Sequence, residues 1–137
     1  MNPIKELHSD GFTIRGNPSK IGGGFTIFAL HEDGSKKMVL THTILRNPAV
    51  FGGQLFTNNE GELLGVHYAA LLAPEGGTII TDSNNTIKWV NGGNKSRPDI
   101  DWVCRFTAKI IKDKRLTLTW RPREENLAGV WNEDNGK

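Results

Sequence analysis

Apolar and polar positions change period several times along the chain, and each change marks an element. The first segment, Ile4 to Ser9, is short and mixed, and it ends at Asp10-Gly11, a dipeptide that commonly closes a strand and opens a turn. A stretch rich in Gly and Pro, Arg15 to Gly24, predicts a loop. The run Phe25-Thr26-Ile27-Phe28-Ala29-Leu30 then predicts a second strand, and Glu32-Asp33-Gly34-Ser35 a hairpin turn into a third, Lys36 to Leu45. From Asn58 to Leu72 the period becomes helical: Leu63, Val66, Ala70 and Leu71 recur at three- and four-residue spacing, with Thr57 or Asn58 placed to cap the start and Pro74 to close the end. Thr78-Ile79-Ile80-Thr81, between Gly77 and Asp82, is a short β-branched run of the kind buried on both faces, so a parallel, central strand is expected there.

Beyond it, Asn84 to Val90 predicts a short helix stopping at Asn91-Gly92-Gly93. Pro98-Asp99 opens another helix, with Ile100, Val103, Cys104, Thr107, Ile110 and Ile111 along one face. Leu116, Leu118 and Trp120 alternate with Thr117 and Thr119 to give a last strand, and a short tail helix starts from Asn126. Three antiparallel strands followed by a βαβ unit predict an α/β fold with a mixed five-stranded sheet flanked by helices.

Composition narrows the picture little. The 137 residues suit one domain, 1–137, and 36% hydrophobic with 23% charged residues is ordinary for a globular chain. A net charge of +2 permits a nucleic-acid partner without demanding one. The single cysteine, Cys104, cannot close an internal disulfide and reads as a small core residue. No apolar run is long enough to span a bilayer and the start lacks the apolar core of a signal peptide, so a cytoplasmic location without a membrane partner is expected, and the lack of an exposed heptad seam predicts a monomer. The basic run Lys109-Lys112-Lys114-Arg115 reads as a solvated face, and His8, His31, His42 and His67 show no metal-ligand spacing.

Three acidic residues stand at informative places: Asp10 at the end of the first strand, Glu62 one turn inside the first helix, and Asp82 at the end of the buried strand. If the first and fourth strands are neighbours, both aspartates emerge at one end of the sheet, where open α/β sheets carry their ligand sites. Three converging carboxylates repel one another strongly at neutral pH unless a divalent cation sits among them, and oxygen-only ligands favour Mg2+ or Mn2+ over zinc.

Several segments together resemble ribonuclease HI, the type 1 ribonuclease H family. Asp10-Gly11 followed by Arg15-Gly16-Asn17-Pro18 and Gly22-Gly23-Gly24 is similar to its first-strand signature, and Thr57-Asn58-Asn59-Glu60-Gly61-Glu62-Leu63 to its helix start. Thr81-Asp82-Ser83 and Arg97-Pro98-Asp99 are similar to two later signatures, all in unbroken order between Ile4 and Asn126. The resemblance implies a ribonuclease H-like sheet and an endonuclease that cuts the RNA strand of RNA/DNA hybrids, leaving 5′-phosphate and 3′-hydroxyl ends. It implies two Mg2+ or Mn2+ ions about 3.5–4 Å apart with substrate bound, ligated by Asp10, Glu62 and Asp82, and Glu62 near the RNA 2′-hydroxyl. Thr57 and Asn126 match positions that hold a phosphate of the DNA strand, while Asn17, Asn58 and Asn59 match positions that touch the minor groove.

The chain departs from the family pattern at the fourth carboxylate, normally an aspartate on the last helix. Here Asn132, Glu133 and Asp134 occupy that neighbourhood, and Asn132 is the expected fourth ligand, through its amide oxygen. No histidine follows His67, so the loop histidine of many relatives is replaced by the stretch Arg123-Glu124-Glu125, and the segment from Asp82 to Pro98 is too short for a basic protrusion. Weak or absent catalysis, with the fold serving to bind hybrid or double-stranded RNA, is the alternative reading. Trp89, Trp102 and Trp120 read as core or groove-edge residues and Trp131 as a shield of the site.

Overall fold

The computed structural model describes residues 2–46, 55–92 and 97–137. These form a five-stranded sheet in the order β3-β2-β1-β4-β5, built from β1 (Ile4–Thr13), β2 (Gly22–His31), β3 (Lys36–Leu45), β4 (Thr78–Thr81) and β5 (Thr117–Trp120). The first three strands run antiparallel, and β4 is parallel to both β1 and β5. The anticipated mixed α/β sheet is therefore present, with one change: β1, not β4, is central.

Four helices complete the described chain: α1 (Asn58–Leu72), α2 (Asn84–Val90), α3 (Asp101–Asp113) and α4 (Leu127–Asp134). Alternation along β1 sends Leu7 into a core with Phe25, Ile27, Ile79, the α1 residues Ala69 and Ala70, and Ala73 at the C-cap of α1. A second cluster, Leu63, Val90, Ile100, Val103 and Cys104, packs α1, α2 and α3 together. Cys104 is thus a core residue, and the stop of α2 is described as far as Gly92, Gly93 lying outside the described residues. The opposite face of β1, carrying Glu6, His8 and Asp10, lies under α4.

Asp10-Gly11 does not close the strand. β1 runs on to Thr13, because Gly11 serves close approach rather than a turn: a Cβ there would stand 2.4 Å from the backbone nitrogen of Glu62. Gly24 and Gly61 belong to the same contact, since a Cβ on Gly61 would meet the Gly24 carbonyl oxygen at 2.7 Å. Three glycines therefore let the start of α1 lie with its backbone against β1 and β2. Gly22, Gly23 and Gly24 likewise begin β2 instead of forming a loop. Phe12 fills the space left over Gly24, buried beneath the Lys137 ammonium 4.6 Å from its ring centre.

One cation of the basic run is not simply solvated. The Lys114 ammonium donates to the carbonyls of Ala70, Leu71 and Ala73 at 2.8–3.0 Å, closing the C-terminus of α1 where the helix dipole favours positive charge. Trp102 and Trp120 are exposed rather than packed in the core.

Candidate metal centre

Asp10, Glu62 and Asp82 each present an oxygen within 4.8 Å of the others. The backbone sets this spacing. β1 and β4 are parallel neighbours, so Asp10, within β1, and Asp82, just past the end of β4, come together, and the glycine contact lays Glu62 over them. The Gly11 N–H donates to Glu62 Oε1 at 3.0 Å and ties the helix carboxylate to the strand.

Burial and mutual repulsion dominate the electrostatics. Asp10 is fully buried, Glu62 nearly so, and Asp82 is half-buried at the rim. Burial first, then the neighbouring Asp10 and Asp82 charges, hold the Glu62 carboxyl well above the usual carboxylate range. Burial and the Asp10 charge push Asp82 up to about 6, against an opposing pull from the Arg123 guanidinium. Asp10 Oδ1 and Glu62 Oε2 are buried without a hydrogen-bond partner. An oxygen-only set with two such orphaned atoms fits a hard divalent cation, which would meet charge and open coordination together.

Asn132 stands beside the cluster, but with its amide reversed from the expected ligand role. Its Nδ2 donates to Asp10 Oδ2 at 2.9 Å, and its Oδ1 accepts from Thr26 Oγ1 at 2.6 Å. A carboxylate demands the amide's donor side, so the oxygen turns away to Thr26, the cross-strand neighbour of Asp10. Thr41 extends the row, 3.1 Å from Thr26. Glu133 does not join the carboxylates; it lies 3.5 Å from Arg123 and is largely exposed, as is Asp134.

The expected substrate contacts divide. Asn58 and Asn59 line an open cleft of about 360 Å³ with Glu62, Asp82, Ser83, Asn84, Asn85 and Arg123. Asn17 accepts the Asn58 N–H at 3.0 Å and braces this wall, while Thr57 caps α1 by accepting from the Glu60 N–H. Asn126 cannot reach a phosphate in this geometry. It is fully buried, caps α4 through the Ala128 and Gly129 N–H groups, and donates to the Ser9 carbonyl at 2.9 Å. Nor does Trp131 shield the site: it tilts against Phe28, ring centres 6.3 Å apart, and lines a separate hollow with Leu127 and Val130.

The sequence reading named Arg123 only as part of the stretch that replaces the loop histidine, and Thr26 only as a strand residue. Arg123 follows Pro122 in a short 3-10 turn, Arg123–Glu125, and reaches to 3.5 Å from Asp10 and 3.9 Å from Asp82. A lone arginine in a loop carries no signal for a role beside the carboxylates. Thr26 is detectable only through register.

No protein-family model matches the sequence, and no curated protein matches it. Solved structures do match. The N-terminal RNase H domain of a Mycobacterium tuberculosis protein, solved as a fusion with maltose-binding protein, is 18% identical over 96% of this chain and 97% of that one, with a TM-score of 0.66. LC11-RNase H1, isolated from compost by a metagenomic approach, is 21% identical over 99% of both chains, also at 0.66. The chain has the type 1 ribonuclease H fold. A further ribonuclease H structure, LC11-RNase H1 in complex with an RNA/DNA hybrid, is 20% identical over 89% of this chain and 88% of that one, at 0.62. Within this ribonuclease H fold one carboxylate lies inside β1, one on α1 and one just past the end of β4.

Proposed function

We propose that the protein is an endonuclease that hydrolyses the RNA strand of RNA/DNA hybrids with Mg2+ or Mn2+, leaving 5′-phosphate and 3′-hydroxyl ends. The observation that carries this reading is the cluster Asp10, Glu62 and Asp82, buried together with two oxygens unpartnered. Structural pairing would have placed cations or donors on those atoms. A ribonuclease H fold, and a neighbour solved on a hybrid, supply the substrate class.

Asp10, Glu62 and Asp82 would hold the cations, which when bound supply an activated water and charge stabilisation at the leaving 3′ oxygen. The reading takes two ions with substrate present. Water adds at phosphorus and gives up a proton, the bond to the 3′ oxygen breaks, and that oxygen takes up a proton from solvent to leave as the 3′-hydroxyl. The Gly11 N–H keeps the Glu62 carboxylate turned to the cluster, and the Asn132 amide and Thr26 fix the rotamer of Asp10. The amides of Asn58, Asn59, Asn84 and Asn85 offer both donors and acceptors at the cleft wall, suited to sugar and base edges without a sequence requirement.

A second reading, hybrid or double-stranded RNA binding without turnover, draws on Asn132 standing where a fourth carboxylate would. A labelled RNA/DNA duplex incubated with each metal separates the two. Oligomers bearing 5′-phosphate, lost in Asp82→Asn, support the nuclease; retention of the duplex without cleavage under every metal supports the binder.

A further inference from the structure

We infer that Arg123 is a built-in cation standing where a second divalent ion would otherwise sit on Asp10 and Asp82, so that the free protein takes up one divalent ion. The inference rests on the metal-centre reading above and narrows it. Two sides of the Asp10 carboxylate carry opposite environments. Its Oδ2 receives the Asn132 amide at 2.9 Å and faces the Arg123 guanidinium at 3.5 Å. Its Oδ1, buried, has no hydrogen-bond partner, and neither has Glu62 Oε2. Donors have thus filled one half of the cluster and left the other half open.

Arg123 is held there by more than attraction to Asp10. Its second terminal nitrogen lies 3.9 Å from Asp82, its Nε 3.5 Å from Glu133, and the first also donates to the Gly129 carbonyl at 3.4 Å. Gly129 makes room for its stem, since a Cβ there would come within 3.3 Å of the Arg123 Cγ. One guanidinium therefore spans carboxylates from β1, the end of β4 and α4. A divalent ion on the same oxygens would meet a fixed positive charge a few ångströms away and a donor amide instead of a carboxylate, both unfavourable. On the Glu62 side no cation stands against the open oxygens among the described residues.

Mn2+ titrated into the free protein at neutral pH, followed by electron paramagnetic resonance and calorimetry, reads the count directly and needs no catalysis. Wild-type protein is expected to bind one Mn2+. Arg123→Lys, which keeps the charge, should also bind one. Arg123→Ala should tighten uptake about tenfold, and the Arg123→Ala, Asn132→Asp double variant should bind two. Two Mn2+ on the wild-type protein, or an Arg123→Ala affinity equal to wild type, overturns the role of Arg123 and leaves the nuclease reading standing. Failure of every variant to bind Mn2+ overturns the metal centre itself, and this inference with it.

Discussion

Glu60 and Glu62 stand two residues apart in one turn of α1, equally buried, in opposite surroundings. Glu60 is gripped by two guanidinium groups, Arg46 and Arg97, with contacts of 2.8 and 2.6 Å to its Oε1 and a further Arg46 contact to Oε2. Glu62 accepts one backbone N–H, keeps an oxygen without a partner, and faces two more carboxylates. The contrast repeats on β1. Glu6 is clamped by Arg121 and bonded to His8, whose Nδ1 in turn accepts the Leu127 N–H, whereas Asp10, four residues on, shares its pocket with like charges. Arg121 and His8 hold Glu6 below the usual carboxylate range although burial opposes them; Glu62 and Asp82 move the other way. Buried acids that are paired hold the fold together, and buried acids left to repel one another are held by it at a cost in stability.

The sharpest way to break this comparison is to neutralise one member of each kind. Asp10→Asn and Glu62→Gln should each lower hybrid cleavage by about a thousandfold or more, with the melting temperature of the metal-free protein at pH 7.5 unchanged or raised. Glu60→Gln should do the reverse, losing about 2–3 kcal/mol of stability in urea unfolding as two guanidiniums lose their counter-charge, while the carboxylate cluster still binds metal. A destabilised Glu62→Gln would show that its surroundings are a structural pairing after all.

Next in size is metal itself. A cation that binds only the native state adds about 2.7 kcal/mol at a hundredfold excess over its Kd, so Mn2+ should raise the melting temperature at pH 7.5, and chelator should reverse it. A smaller effect comes with pH. Asp82, pushed up to about 6 from an ordinary 3.8, and Glu62, raised above 4.5, bind protons more tightly folded than unfolded. The Asp82 contribution is therefore most favourable in acid and is lost as pH rises through about 6, and Glu62 acts in the same direction, whereas His8 and His67, lowered from 6.5 by burial, act oppositely in the same range. On raising pH from 5.5 to 7.5 the metal-free protein should therefore lose more melting temperature, or gain less, than Asp82→Asn. Glu6, held below its ordinary 4.5, acts oppositely and sets the lower limit of this gain. Smallest of all is the exposed pair Lys109–Asp113 at 2.8 Å, where Lys109→Ala should leave the urea-unfolding midpoint unchanged.

Much of this was legible from residue order. The change from alternating to helical period placed α1 and narrowed its cap to Thr57 or Asn58, of which Thr57 caps it, and the β-branched run 78–81 placed β4. The acids Asp10, Glu62 and Asp82 were findable from their places relative to the predicted elements, although Asp10 proves to lie inside β1 and not at its end. What stayed hidden depended on partners far away in sequence. Gly11 looked like a turn because its contact with Glu62 lies 51 residues off, and nothing local distinguishes a glycine needed for a bend from one needed for close approach. The orientation of the Asn132 amide follows from Thr26 and Asp10, both more than 100 residues away. Asn126 carried a binding role by resemblance, and its burial under Ser9 is a property of packing alone.

The meeting of Gly11, Gly24 and Gly61 gives the cluster an unusual kind of robustness and an unusual weak point. Because main chain rests on main chain, the distance between strand and helix acts as a fixed gauge, and side chains at positions 10, 62 and 82 can be exchanged without resetting it. A single methyl group at Gly61 would widen that gauge and disarm the protein with every acidic residue still in place.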